Sequence, residues 1–193
     1  MMDDQLYAFA FRGLLTEEAL DRTGRQTRLT RSSTVEASNA KSVGLDLLDD
    51  AYVTRAVKMA PAYTAIAAFE NSVREFVSKR LLEHAGETWW SECVSEKIRS
   101  KAESRRDEET KIRWHTPRGD DPINYTEFGD LTSIISQNWD QFEAHLRNQD
   151  WVRQIISTLE RSRNVIMHSG DLASSDLERI GTVIRDWVKQ VGA

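Results

Sequence analysis

The sequence is poor in the residues that interrupt or cross-link a chain. It holds one cysteine, Cys93, so neither an intramolecular disulfide nor a cysteine zinc site is open to it, and a reducing compartment is expected. Three prolines and nine glycines in 193 residues leave little turn chemistry and favour long regular elements. No long hydrophobic run exists: the longest mostly apolar stretch, Ala60 to Phe69, is far too short for a bilayer and is broken by Pro61, Tyr63 and Thr64. The acidic start, Met1-Met2-Asp3-Asp4, lacks a basic segment leading into an apolar one, so a secretory signal is not expected and the location is read as cytoplasmic. No internal repeat or low-complexity tract is present, and no stretch sustains a period of two.

What is there has a globular balance. Hydrophobic residues make up 39% and charged residues 30%, enough to build a core and unlike a disordered chain. The length suits one domain and is marginal for two. A net charge of -5 gives no general pull toward nucleic acid. Two local patches depart from it. Arg22, Arg25, Arg28 and Arg31 occur with no acid among them, and from Lys97 to Arg118 basic residues outnumber acidic ones. Each is either solvated surface or a guide for RNA.

The periodicity predicts an all-α protein, a helical bundle over 46–193 with an N-terminal helical extension over 1–45. Residues 4–20 read as a helix, and 21–43 as a polar loop, alone or with a short helix in it. A long helix is expected from about Asp50 to His84, broken or kinked early by Pro61 and stopped by Gly86. A second is expected over 88–114, then a loop marked by Pro117, Gly119 and Pro122, then one or two shorter helices over 127–147. A helix over 150–169 ends at Gly170, and Ser174 or Ser175 is positioned to cap a last one.

In the 150–169 segment, Val152, Ile155, Ile156, Leu159 and Ile166 form an apolar stripe, and Arg163 falls on it, four residues after Leu159. A guanidinium on a core-facing stripe is costly unless it is paired or opens onto a partner or cleft. Asn164 and His168 stand one turn apart, where an amide can orient an imidazole, and the carbonyl end of a helix favours the protonated ring. The other reading is that Arg163 and His168 simply satisfy the helix end. Arg163 and His168 lie roughly 140° apart around an ideal helix, so they flank a site rather than line up. A second polar cluster, Glu70, Asn71 and Arg74, interrupts an apolar helix face. It is either a surface ion pair or a group facing the Arg163 helix and orienting it. Arg161, seven residues before His168, is nearly on its face and either assists Arg163 or binds RNA. The four histidines and the carboxylates have no metal-ligand spacing, and there is no phosphate-cradling glycine loop, so no metal and no cofactor are expected.

Arg163-Asn164-Val165-Ile166-Met167-His168 matches the R-N-x-x-x-H form of the R-x4-6-H motif of the HEPN superfamily. Three further segments resemble its Swt1-like branch, a helical domain found at the end of a eukaryotic mRNA quality-control endoribonuclease and in many bacterial proteins. They are Phe69 to Arg74, Gly86 with Trp89-Trp90, and Tyr125 to Leu131 running into Asn138-Trp139. The resemblance covers residues 69–170 and leaves 1–45 untouched. It implies a bundle that dimerises so that two motifs meet in one composite site, and metal-independent cleavage of RNA. Arg163, Asn164 and His168 would then be catalytic, with Glu70, Asn71 and Arg74 supporting them. The resemblance also implies a setting in antiviral defence or a toxin-antitoxin pair, with an antitoxin or regulatory partner. A non-catalytic HEPN module that binds RNA, a nucleotide or a protein is the alternative, and a structural helical dimer in which Arg163 pairs with Glu70 is another.

Overall fold

A computed structural model describes residues 41–192, together with Thr16 and Asn39. The chain divides into two compact units, Met1–Val53 and Thr54–Ala193. The helix expected over 4–20 and the arginines Arg22, Arg25, Arg28 and Arg31 lie outside the described residues, Thr16 apart. In the first unit a 3-10 turn, Leu45–Leu47, is entered through Gly44, whose φ of 70° suits a residue without a Cβ.

Thr16, Asn39, Lys41 and Ser42 are helical, and from Asp50 on seven helices follow: α1 (Asp50–Ala85), α2 (Trp89–Cys93), α3 (Glu96–Thr110), α4 (Phe128–Gln137), α5 (Trp139–Leu146), α6 (Gln149–Met167) and α7 (Ser174–Val191). No strand occurs among the described residues, and no helix there is long and apolar enough to cross a membrane. α1 runs unbroken through Pro61. Proline removes the bond to the carbonyl four residues back, here that of Val57, and both residues are exposed, so water can satisfy that oxygen. The expected 88–114 helix is instead two, parted at Val94 and Ser95, where both backbones are extended. Val94 is buried at this break and turns its side chain into the core.

The core of the second unit is one cluster. Ile66, Val73, Val77 and Leu81 of α1 join Leu131, Ile134 and Ile135 of α4, Phe142 of α5 and the stripe of α6. Val152, Ile155, Ile156 and Leu159 are all buried, as the stripe requires. Trp187 of α7 stacks on Trp151 of α6 at 5.9 Å and meets Phe69 of α1 edge-on at 5.3 Å, tying three helices together. Arg105 of α3 donates to the carbonyl of Tyr125 at 2.8 Å and pairs with Glu127 and Asp130, docking α3 against the start of α4.

Helix ends are set locally. Asn148 caps α6, its Oδ1 accepting from the Trp151 amide at 3.0 Å. Glu127 and Asp130 form a reciprocal capping box on α4. The cap position of α7 is Ala173, with no side-chain bond, so Ser174 and Ser175 fall inside the first turn rather than capping it.

Candidate functional site

Glu70 is the pivot of the site. It lies on the inner face of α1, only 7% exposed, so its carboxylate needs partners. Arg74, one turn on, donates through Nη2 to Glu70 Oε1 and to the carbonyl of Thr126, and through Nη1 to Asn71 Oδ1. Its Nε is buried without a partner. The second carboxylate oxygen, Glu70 Oε2, is 3.6 Å from Nε of Arg163 on α6. The position that continues the apolar stripe of α6 is thus taken by a guanidinium leaning on a buried carboxylate of the neighbouring helix.

These residues open onto a cavity of about 370 Å³. Its walls include Glu70, Asn71 and Arg74 from α1, Arg163 from α6, and Arg118 and Asn124 from the segment before α4. Tyr63 stands at the rim, half exposed. Arg163 keeps 40% of its side chain exposed while lining the cavity. Arg118 is held by Glu109, which also accepts from the Arg118 amide. Asn124, Thr126 and Tyr63 were not singled out from the sequence as site residues. Their signal was weak, since only Thr126 sits in a segment that carries the family resemblance.

His168 does not line this cavity. It is the residue at which α6 ends, with φ -97° and ψ 24°, and its side chain is exposed. Its backbone amide donates to the carbonyl of Asn164 at 3.1 Å. Asn164 is exposed as well, and no hydrogen bond joins the two side chains among the described residues. Arg161 is exposed without an ion pair there.

The turn beyond His168 is tightly built. Ser169 has φ 60°, and the Gly170 amide donates to the Val165 carbonyl at 2.8 Å. A Cβ on Gly170 would stand 2.8 Å from Val165 Cγ1 and 2.9 Å from the Val165 carbonyl oxygen, so only glycine fits without a shift. The chain is then pinned to α1. Asp171 pairs with Arg55 at 2.5 Å, and the Leu172 amide points at the sulfur of the buried Met59, 3.3 Å away. Val165 and Met167, 39% and 55% exposed, flank His168 on this helix end. Within one chain, Arg163 is therefore anchored on the cavity side while His168 projects freely about a turn and a half further on.

No group of three or more histidine, cysteine or acidic side chains able to hold a metal ion occurs among the described residues. No curated protein and no solved structure matches the chain. The family model for Swt1-like HEPN matches residues 64–192, which is well over half the chain and takes in Glu70, Arg163 and His168: the chain belongs to the Swt1-like HEPN family.

Proposed function

We propose that the protein is an endoribonuclease that cleaves RNA through the ribose 2'-hydroxyl, without a metal, at a site shared by two copies of the chain. The observation that carries this reading is the division of labour on α6. A fixed positive charge, Arg163, is held at the mouth of a polar cavity, and a titratable group, His168, stands exposed close by with no competing side-chain bond. Membership of a family in which ribonucleases are common supports it.

The reaction needs a base, an acid and a cation. His168 takes the proton from the 2'-hydroxyl, and that oxygen attacks phosphorus. The phosphorane charge is balanced by the guanidinium of Arg163. The bond from phosphorus to the 5'-oxygen breaks, and the leaving oxygen takes a proton from the protonated His168 of the second copy. The products are a 2',3'-cyclic phosphate and a 5'-hydroxyl. Asn164 helps orient the imidazole once the site closes, and Glu70, with Asn71 and Arg74 behind it, aims Arg163. The exposed Val165 and Met167 give a second copy an apolar surface beside His168. Arg161 and the patches at Arg22 to Arg31 and Lys97 to Arg118 guide the strand. The setting we propose is cytoplasmic, in defence or a toxin-antitoxin pair with an antitoxin or regulatory partner.

One observation favours the non-catalytic reading: the pair between Arg163 and Glu70 also suits a purely structural arginine. Incubating purified protein with single-stranded RNA in EDTA and resolving the products separates the two. Accumulating cyclic-phosphate ends support the enzyme, whereas binding without cleavage supports the module.

A further inference from the structure

Between Trp90, α3 and the Pro122–Tyr125 turn lies a second cavity of about 250 Å³. It shares no lining residue with the Arg163 cavity. The two open on different sides of the 122–126 segment: Asn124 and Thr126 face the first, Pro122 and Tyr125 the second.

Two of its lining residues are arginines on one face of α3, Arg99 and Arg106, seven positions apart. Neither has an ion pair or a side-chain hydrogen bond among the described residues, and the Nε of Arg99 is buried without a partner. This contrasts with Arg105 of the same helix, which is held by Tyr125, Glu127 and Asp130 and serves the fold. A buried N–H left unpaired is costly and is satisfied when a ligand supplies an acceptor. Four of the other lining residues are aromatic or apolar. Trp90 is half-buried and fixed edge-on against Trp89 at 5.5 Å, Pro122 adds a ring, and the buried Tyr125 and Ala102 close the floor. Glu103 also lines the cavity, so a bare anion would meet a carboxylate there, while a base bearing an amino group would find an acceptor.

We infer that this cavity binds one nucleoside monophosphate unit, its phosphate on Arg99 and Arg106 and its base against Trp90. Arginine reads phosphate through paired donors, and an indole face stacks any base. The volume lies just under the roughly 300–1,000 Å³ of small-molecule pockets and holds one such unit rather than a longer ligand. The unit is either one residue of an RNA strand or a free mononucleotide. Recognition here does not depend on cleavage at His168.

Calorimetry on the full chain carrying His168→Ala tests this, since the RNA then stays intact if the protein is a nuclease. The ligands are a nucleoside 5'-monophosphate, its nucleoside, inorganic phosphate and a ten-residue oligoribonucleotide. Arg106→Gln, at an exposed position that the fold does not use, should weaken binding about tenfold and lower its salt dependence. Arg99→Gln should do the same, and Arg106→Gln decides alone if the Arg99 variant, whose Nε is buried, unfolds. Arg163→Ala should leave mononucleotide binding as it was. Equal affinity for mononucleotide and oligonucleotide assigns the cavity to free nucleotide, and binding of the oligonucleotide alone, still sensitive to Arg106→Gln, assigns it to a strand. Inorganic phosphate binding as tightly as the nucleotide, no binding of either nucleotide ligand, or indifference to Arg106→Gln overturns the inference. Cleavage without nucleotide binding here would sink this inference alone, and nucleotide binding without cleavage would sink the nuclease alone.

Discussion

Nε of Arg163 on α6 stands 3.6 Å from Oε2 of Glu70 on α1, while the other oxygen of the same buried carboxylate is held by Arg74. The two arginines are not equal partners. Arg74 is 15% exposed and hydrogen-bonded on three sides, whereas Arg163 is 40% exposed and at the limit of an ion pair. Glu70→Gln should therefore destabilise the fold by about 3 kcal/mol, because it leaves Arg74 buried without its counter-charge. Arg163→Ala should cost under about 1 kcal/mol, since solvent screens its half of the pair. Urea denaturation of the two variants checks this. Equal losses would mean that Arg163 serves the fold.

The turn that follows His168 should be sensitive to one methyl group. Gly170→Ala forces its Cβ against Val165 and disturbs the chain that carries Ser169 and Asp171. A stability loss of about 1–2 kcal/mol is expected, as for other overpacked positions. RNA cleavage should fall further than stability explains, because His168 moves with the turn. Activity measured well below the melting temperature separates the two effects.

Cys93 should be a slow thiol. Burial pushes its pKa above the ordinary 9.0, and the neighbouring Glu92 carboxylate pushes the same way. Alkylation by iodoacetamide at neutral pH should run slower than for free cysteine, and its acceleration with pH should be displaced upward. The folded state holds the thiol proton more tightly than the unfolded state does. The corresponding stability is therefore fully present below pH 9.0 and lost as pH rises through the raised value. Rapid labelling at neutral pH would contradict the burial assigned to this side chain.

A second copy should cover the His168 end of α6. Met167 is 55% exposed beside Val165, and a carboxylate there would be desolvated on association. Met167→Glu should shift the protein to monomer in light scattering, leave its helical circular dichroism unchanged and abolish cleavage. A wild-type protein that is monomeric at micromolar concentration would count against the shared site.

Much of this was legible in the sequence, and what was not has physical reasons. The α6 stripe gave helix, buried face and the anomaly at Arg163 together, because all three follow from one period of 3.6 residues. The pairing of Glu70 with Arg163 was one of two open readings, and only packing of α1 on α6 decides between them. The break at Val94 and Ser95 carries neither glycine nor proline. It arises because Val94 is drawn into the core, a tertiary effect. Pro61 does not interrupt α1, the first of the two expected outcomes, since an exposed helix face tolerates a missing bond that a buried one would not. The cavity walls at Arg118 and Asn124 come from a loop whose path no periodicity encodes.

The central claim rests on His168, and end-group analysis of RNA incubated in EDTA tests it most directly. Wild-type protein should cut RNA and spare DNA, leaving 2',3'-cyclic phosphate and 5'-hydroxyl ends. His168→Ala should lower the rate by about a hundred- to ten-thousand-fold while folding and RNA binding persist. Asn164→Ala should retain part of the activity. Cleavage by His168→Ala at the wild-type rate, or no cleavage by wild type with RNA binding intact, would contradict the account and leave a binding module in its place.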